Sequence, residues 1–209
     1  MAWKPIPKHV IIIASSVVIM LAGASISVWM AVYRAHSDAT IIRSIASTLS
    51  LPVARVGGVN VSYEEYMQHV DVQRAYFSSE AAVAIGIAHE INNTDRQEAL
   101  ERAIRMTAVA LAAEKAGIIV TDLDVERGYT YLATRSASST TEGDFATVLQ
   151  EVGMTQEVFK RLVVRPALLE DALKSRRVTD TNDPEAFGRE LDALLAAPET
   201  KRYLSFDGS

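Results

Sequence analysis

Val53-Ala-Arg-Val-Gly-Gly-Val-Asn-Val-Ser-Tyr-Glu-Glu-Tyr66 is the stretch whose reading decides the fold. Two short β-branched runs, Val53 to Val56 and Val59 to Val61, flank Gly57-Gly58. Both glycines reach positive φ at little cost, so the pair predicts a two-residue hairpin turn. Ser62 and Glu65 then have capping-box spacing, which starts a helix directly after the second strand. Tyr63, Tyr66, Met67, Val70 and Phe77 mark one apolar stripe on that helix. Such periodicity first of all reports burial, so the stripe is read as core.

Downstream, the same punctuation recurs. Thr94 with Gln97 reads as a second capping box, ahead of a long helix with Leu100, Ile104, Ala108 and Leu111 inward and Gly117 as its stop. Thr121 is placed to cap a third helix carrying Val125, Tyr129 and Leu132, with Asp122 and Asp124 at its positive end. Gly128 weakens that helix by about 1 kcal/mol relative to alanine. The small, polar tract from Thr134 to Gly143 reads as a loop. A short helix with Phe145, Val148, Leu149 and Val152 follows, stopped by Gly153. Thr155 caps the next, with Phe159, Leu162, Val163, Leu169 and Leu173 inward, and Pro166 is expected to kink or split it. Pro184 opens a terminal helix with Phe187, Leu191, Leu194 and Leu195. The tail Tyr203 to Phe206 is a candidate third strand for the hairpin, in the same chain or a neighbour.

Ahead of the hairpin, Val10 to Val32 is an uncharged, mostly apolar run of 23 residues. A helix of that length spans a hydrocarbon core of about 30 Å. Lys4 and Lys8 precede it and Arg34 follows, a weak bias that puts the N-terminus in the cytoplasm. Trp29 and Tyr33 sit where ring side chains favour the headgroup layer. A cleavable signal peptide would have a shorter apolar region, and although Ala22-Gly23-Ala24 mimics its site, apolar sequence continues to Met30. A buried core helix is disfavoured by apolarity all round. Residues 1–9 are therefore expected in the cytoplasm, 10–32 as a transmembrane helix and 33–51 as a juxtamembrane stalk. In that stalk Ile41, Ile42, Ile45 and Leu49 share a helix face and Pro52 ends it.

Of the 21 basic residues three (Lys4, Lys8 and Arg34) lie in the first 34 positions, whereas all 26 acidic residues follow them, so the remainder carries a formal charge of −8. That argues against a nucleic-acid role, which needs a basic, phosphate-neutralising surface. It also disfavours lying flat on an anionic membrane. No cysteine is present, so disulfides and thiolate chemistry are impossible. The four histidines lack metal-ligand spacing, and His69 beside Asp71 in sequence does not make a triad, which is a geometry in space. Glu64-Glu65 and Asp122-Asp124 read as helix-start charges, and Glu101, Arg102 and Arg105 as a solvated face. Gly57-Gly58 lacks the pattern of a nucleotide loop. No catalytic residue, cofactor site or metal site is expected.

The order of these elements resembles the SurA-type N-terminal chaperone domain. Val53 to Tyr66 is similar to that family's opening hairpin and capped helix, with Gly57 where an asparagine is common. Ala99-Leu100 through Ala116-Gly-Ile-Ile-Val-Thr-Asp122 looks like its long helix and "A-x-x-x-G-I-x-V-T-D" exit. Gly153 to Phe159, Leu168 to Leu173 and the run Arg176 to Thr179 resemble its closing helices, so the resemblance covers roughly residues 53 to 180. The family implies an extracytoplasmic module that cradles unfolded chains and often carries a parvulin-type prolyl isomerase domain. Only 30 residues follow Thr179, too few for that domain, and isomerase activity is not carried over.

The expectation is a mainly α fold, with a transmembrane helix ahead of a SurA-N-like domain over 52–180 that contains a small β-hairpin, and a C-terminal helix and tail over 181–209. Expected partners are unfolded or exported polypeptides and the membrane, with no nucleic acid; homo-oligomerisation stays open. Adaptable side chains such as Met67, Met106 and Met154 are candidate client contacts. The resemblance implies a membrane-anchored holdase. An adaptor binding one envelope partner, or an enzyme built from scattered polar residues, are the alternatives.

Overall fold

The computed structural model describes residues 27–34, 39–136 and 142–206. The chain divides into two compact units, Met1–Leu51 and Pro52–Ser209. In the first, residues 27–33 are helical (α1) and Trp29 and Tyr33, one turn apart, bring their rings to 5.5 Å. Helix α2 (Thr40–Thr48) falls in the expected stalk. Most of the Val10–Val32 run, and with it the expected transmembrane helix, lies outside the described residues, as do segment 1–9 and stalk residues 35–38. No helix among the described residues is long and apolar enough to cross a membrane.

The second unit opens with β1 (Pro52–Val56) and β2 (Val59–Ser62), antiparallel around Gly57 (φ 54°) and Gly58 (φ 95°). A register shift between Pro52 and Ala54 marks a bulge, which lets the adjacent Val53 and Ala54 both be fully buried. Ser62 caps α3 (Tyr63–Phe77) in the expected capping box: its Oγ accepts from the Glu65 N–H at 3.2 Å, and Glu65 accepts from the Ser62 N–H at 2.8 Å. A short α4 (Glu80–Ala84), not foreseen from the sequence, is capped by Ser79.

The long helix α5 (Asn93–Lys115) begins earlier than the sequence spacing suggests. Asn92, not Thr94, is the cap: its Oδ1 accepts from the N–H groups of Thr94 and Asp95 at 2.8 and 3.1 Å, and Asp95 accepts from the Asn92 N–H at 2.8 Å. The short amide at Asn92 is in extended geometry, whereas Thr94 is already in the first turn and helical, so it cannot cap. Leu100, Ile104 and Ala108 are buried as expected, among Ala99, Ala103, Ala112 and Ala113. These small side chains let α5 lie close to α3, the sheet, α9 and α10 at the centre of the unit. Gly117 (φ 67°) closes it with Ile118 N–H donating to Ala113 O at 2.9 Å, a Schellman stop.

Helices α6 (Asp122–Ser136) and α7 (Glu142–Glu151) shorten the expected loop from both sides, and residues 137–141 lie outside the described residues. Helix α8 (Gln156–Phe159), capped by Thr155 as expected, runs through a π-helical turn, Lys160–Val164, into α9 (Arg165–Thr181). Pro166, expected to kink or split the helix, leaves the backbone helical, and the departure from α geometry falls in the turn just before it. Proline lacks an N–H and its ring clashes with the carbonyl four residues back in an α-helix. Widening the preceding turn, so that the Arg165 N–H bonds Lys160 O five residues back, keeps the backbone helical across the proline. The extra residue also rotates the helix face. Val164, not Val163, faces the interior, and Val163 is 38% exposed.

Helix α10 (Ala186–Ala196) starts two residues after Pro184 and buries Phe187 and Leu191. The third strand expected from the tail exists within the same chain, displaced by two residues. Strand β3 (Lys201–Arg202) pairs antiparallel with β1, giving the order β2-β1-β3, and Tyr203 N–H donates to Val53 O at 2.8 Å. Leu204 and Phe206 then bury, Phe206 stacking on Tyr66 with centroids 6.1 Å apart. Arg202 grips Glu101 of α5 through two contacts of 2.8 and 2.9 Å, so Glu101, expected in a merely solvated face, ties the tail to the central helix.

A second, smaller core gathers Val125, Tyr129 and Ala133 of α6, Leu149 of α7 and Val164 of the π turn. Tyr129, Phe145 and Phe159 bring their rings within 5.5 to 6.2 Å of one another. Gly128 lets these helices meet, because a β-carbon there would come 2.9 Å from Val164 Cγ1. What reads as a weak point of α6 is a contact point.

Candidate functional site

Between the two cores lies an open, mainly apolar groove of about 320 Å³. Its floor comes from α5, with Ala103, Met106, Ala110 and Leu111 on the face next to the buried stripe. One wall is Val59 and Asn60 of β2 with Glu65, Gln68 and His69 of α3; the other is Leu162, Pro166 and Leu169 of the π turn and α9. The π turn therefore serves both sides, sending Val164 into the aromatic core and Leu162 into the groove. Of the three methionines singled out by sequence, Met106 alone lines this groove. Met67 is 1% exposed in the core, and Met154 packs on the aromatic cluster.

Glu65, Glu114, Arg161 and Arg165 put charge on the groove's lining, and further ion pairs stand outside it. Arg165 donates to Val120 O at 2.9 Å and pairs with Asp122, holding the start of α6 against the start of α9. Lys160 bridges Glu126 at 2.5 Å and Glu157 at 3.6 Å and lies 4.9 Å from the Tyr129 ring centre. Arg105 of α5 meets Glu170 of α9 at 3.1 Å. The helix-start reading of Asp124 holds, since it accepts from Thr121 hydroxyl and N–H; those bonds, the hydroxyl's first, hold its carboxyl below the ordinary range.

Spacing along the chain marks His69 as neither a metal ligand nor a triad member, yet it is the buried polar side chain of the groove, only 8% exposed. Burial, helped by the Arg102 charge, lowers its pKa to about 4, so the ring is neutral at pH 7. Between pH 6.5 and 4 the unfolded chain holds a proton on this ring that the folded chain lacks. Folding accordingly weakens as pH falls through that window, by about 3 kcal/mol at its lower end. His69→Leu should flatten this part of the pH dependence of the urea midpoint; an unchanged slope would mean that the ring is protonated in place.

His89 works in the opposite sense. Its Nδ1 lies 2.8 Å from Ile87 O and its Nε2 3.0 Å from Asp95 Oδ2, both acceptors, and its pKa is raised by the Ile87 carbonyl first and then by Asp95. That ring, 4.0 Å from the Phe77 ring, holds the loop after α4. Val83 in α4 and Ile85 at its end are 63% and 66% exposed, a second apolar surface. Among the described residues no group of three or more histidine, aspartate or glutamate side chains is placed to hold a metal ion.

The sequence profile of the SurA-like N-terminal domain matches residues 8–174. The chain belongs to that family. The match starts well before the hairpin, inside the residues flanking the apolar run, and ends at Lys174, short of the run to Thr179 included in the sequence resemblance. The mainly helical unit with its small sheet fits this SurA-like domain, and membership carries a chaperone-related role at the level of the family. Neither a curated protein nor a solved structure matches the chain.

Proposed function

We propose that this SurA-like protein is a membrane-anchored, extracytoplasmic holdase that binds unfolded or exported polypeptides in the groove over α5. The observation that carries the reading is the groove itself, apolar on its floor and charged on its rim. Apolar surface left open within a charged border accepts exposed apolar segments of other chains while keeping its owner soluble. Met106 and Leu162, unbranched at Cβ, adapt to differing guests better than β-branched residues would. Anchoring by 10–32 rests on the length and apolarity of that run. It would concentrate the groove near clients emerging at the membrane. The adaptor alternative drew on a hairpin lacking a third strand, and β3 fills that place on the β1 side.

The test is aggregation suppression by the full chain, reconstituted in lipid vesicles, against several unrelated denatured proteins. Suppression at near-stoichiometric amounts, lost in Leu162→Glu, is expected. Absence of suppression for all of them would overturn the holdase reading. In the same vesicles one protease-sensitive boundary just beyond residue 34 is expected, and protection of residues 1–34 only by virtue of aggregation, without lipid, would remove the anchor.

A further inference from the structure

We propose that the groove holds its guest as an added strand, gripped through the guest's main chain by the outer edge of β2 and by the His69 imidazole. The proposal rests on the reading of the groove as a polypeptide site and specifies how that polypeptide is recognised.

The edge follows from the hairpin register. Val56 and Val59 close the two-residue turn and exchange hydrogen bonds, so the next pair, Arg55 and Asn60, is the non-bonded kind. The bulge lies farther back, between Pro52 and Ala54, and leaves this alternation intact. Arg55 therefore turns its N–H and C=O away from β2, which is the side on which β3 pairs it with Lys201. By the same rule Asn60 turns its N–H and C=O away from β1. Strand β2 ends the sheet on that side, and Asn60 is exposed and lines the groove. An extended peptide laid there exchanges both hydrogen bonds with Asn60.

The second grip is independent of the first. His69 is more than nine-tenths buried, faces the same groove and has no hydrogen-bond partner among the described residues. A neutral imidazole offers one donor and one acceptor, which is what the C=O and N–H of an extended main chain require. A helical guest has already used those groups internally, apart from its ends. Charge fits the same occupant. Glu114 of α5 and Arg161 of the π turn, unpaired among the described residues, give the rim one charge of each sign. A main chain with few charges meets no repulsion there, whereas a strongly acidic or basic segment meets one like charge. The occupant is thus an extended, weakly charged stretch of polypeptide, held with little regard to side-chain identity.

The experiment is an N-methyl scan of a fluorescein-labelled nonapeptide of leucine, alanine and serine, its binding to the full chain read by anisotropy. Methylation at the positions bonded to Asn60 or His69 should weaken binding about tenfold, and elsewhere less than about twofold. His69→Leu should weaken the parent peptide about fivefold or more, and His69→Gln, which keeps a donor and an acceptor, should restore it. A flat scan, equally tight binding of a stapled helical version, or wild-type affinity in His69→Leu would each overturn strand addition. Aggregation suppression that persists without any peptide binding would overturn it too, while leaving the holdase reading standing. Loss of both would remove both.

Discussion

Ile104→Asp is expected to leave the second unit without a cooperative fold at 25 °C. Ile104 is fully buried on α5, the helix that touches α3, the sheet, α9 and α10. The substitution removes an apolar side chain whose truncation alone costs about 2–5 kcal/mol. It also buries a carboxylate for which the surrounding Ala103, Ala108 and Leu100 supply no partner. Together these match the whole stability of an ordinary domain, about 5–15 kcal/mol. Loss of near-ultraviolet circular dichroism and of the urea transition is the readout. Ile104→Val, costing about 1 kcal/mol, is the control that keeps the fold. An aspartate variant that melts like the parent would place Ile104 on the outside of α5.

The second large effect comes from one methyl group. Gly153, between α7 and α8, has φ 68°, and a β-carbon there would fall 2.1 Å from Ala75 Cβ and 3.3 Å from Ala75 Cα on α3. The left-handed backbone costs an L-residue about 1 kcal/mol, and overpacking typically adds about 1–3 kcal/mol. The neighbour is the short, rigid face of a helix, which has no flexible end to swing aside. Gly153→Ala should therefore lower stability by about 2–4 kcal/mol, measured from the urea midpoint. Gly58→Ala, with open space around it, suffers only the conformational part. Equal losses at the two sites would show that α3 yields to the α7–α8 turn.

These two sites also show what the sequence makes legible. The stripe through Leu100, Ile104 and Ala108 and the stops at Gly117 and Gly153 come from rules that act within a turn or two, and they are where expected. Local rules fail where a residue answers to something distant. Gly128 looks like a flaw in α6 until Val164, far along the chain, is placed against it. Val163 and Val164 exchange places because Pro166 forces a wider turn, and an insertion in helical phase leaves no periodic signature. Asn92 outranks Thr94 as a cap because its side chain reaches two N–H groups from an extended backbone. Beyond Met106, the groove was not legible. Its residues come from five elements, and nothing in the surroundings of His69 in the sequence tells that this histidine is buried whereas His89 is held by two acceptors.

The pairing of β1 with β3 has a consequence for biosynthesis. The opening hairpin is among the first parts of the unit to be made, yet the strand that flanks it arrives nearly the whole domain later. At about 5–20 residues per second, translation leaves that flank uncovered for on the order of ten seconds or more. Throughout that interval the nascent chain displays the same kind of unfinished sheet that its mature form is proposed to shelter in others. Completion waits for Leu204 and Phe206 to seat, so the sheet that opens the unit is among the last parts of it to be finished.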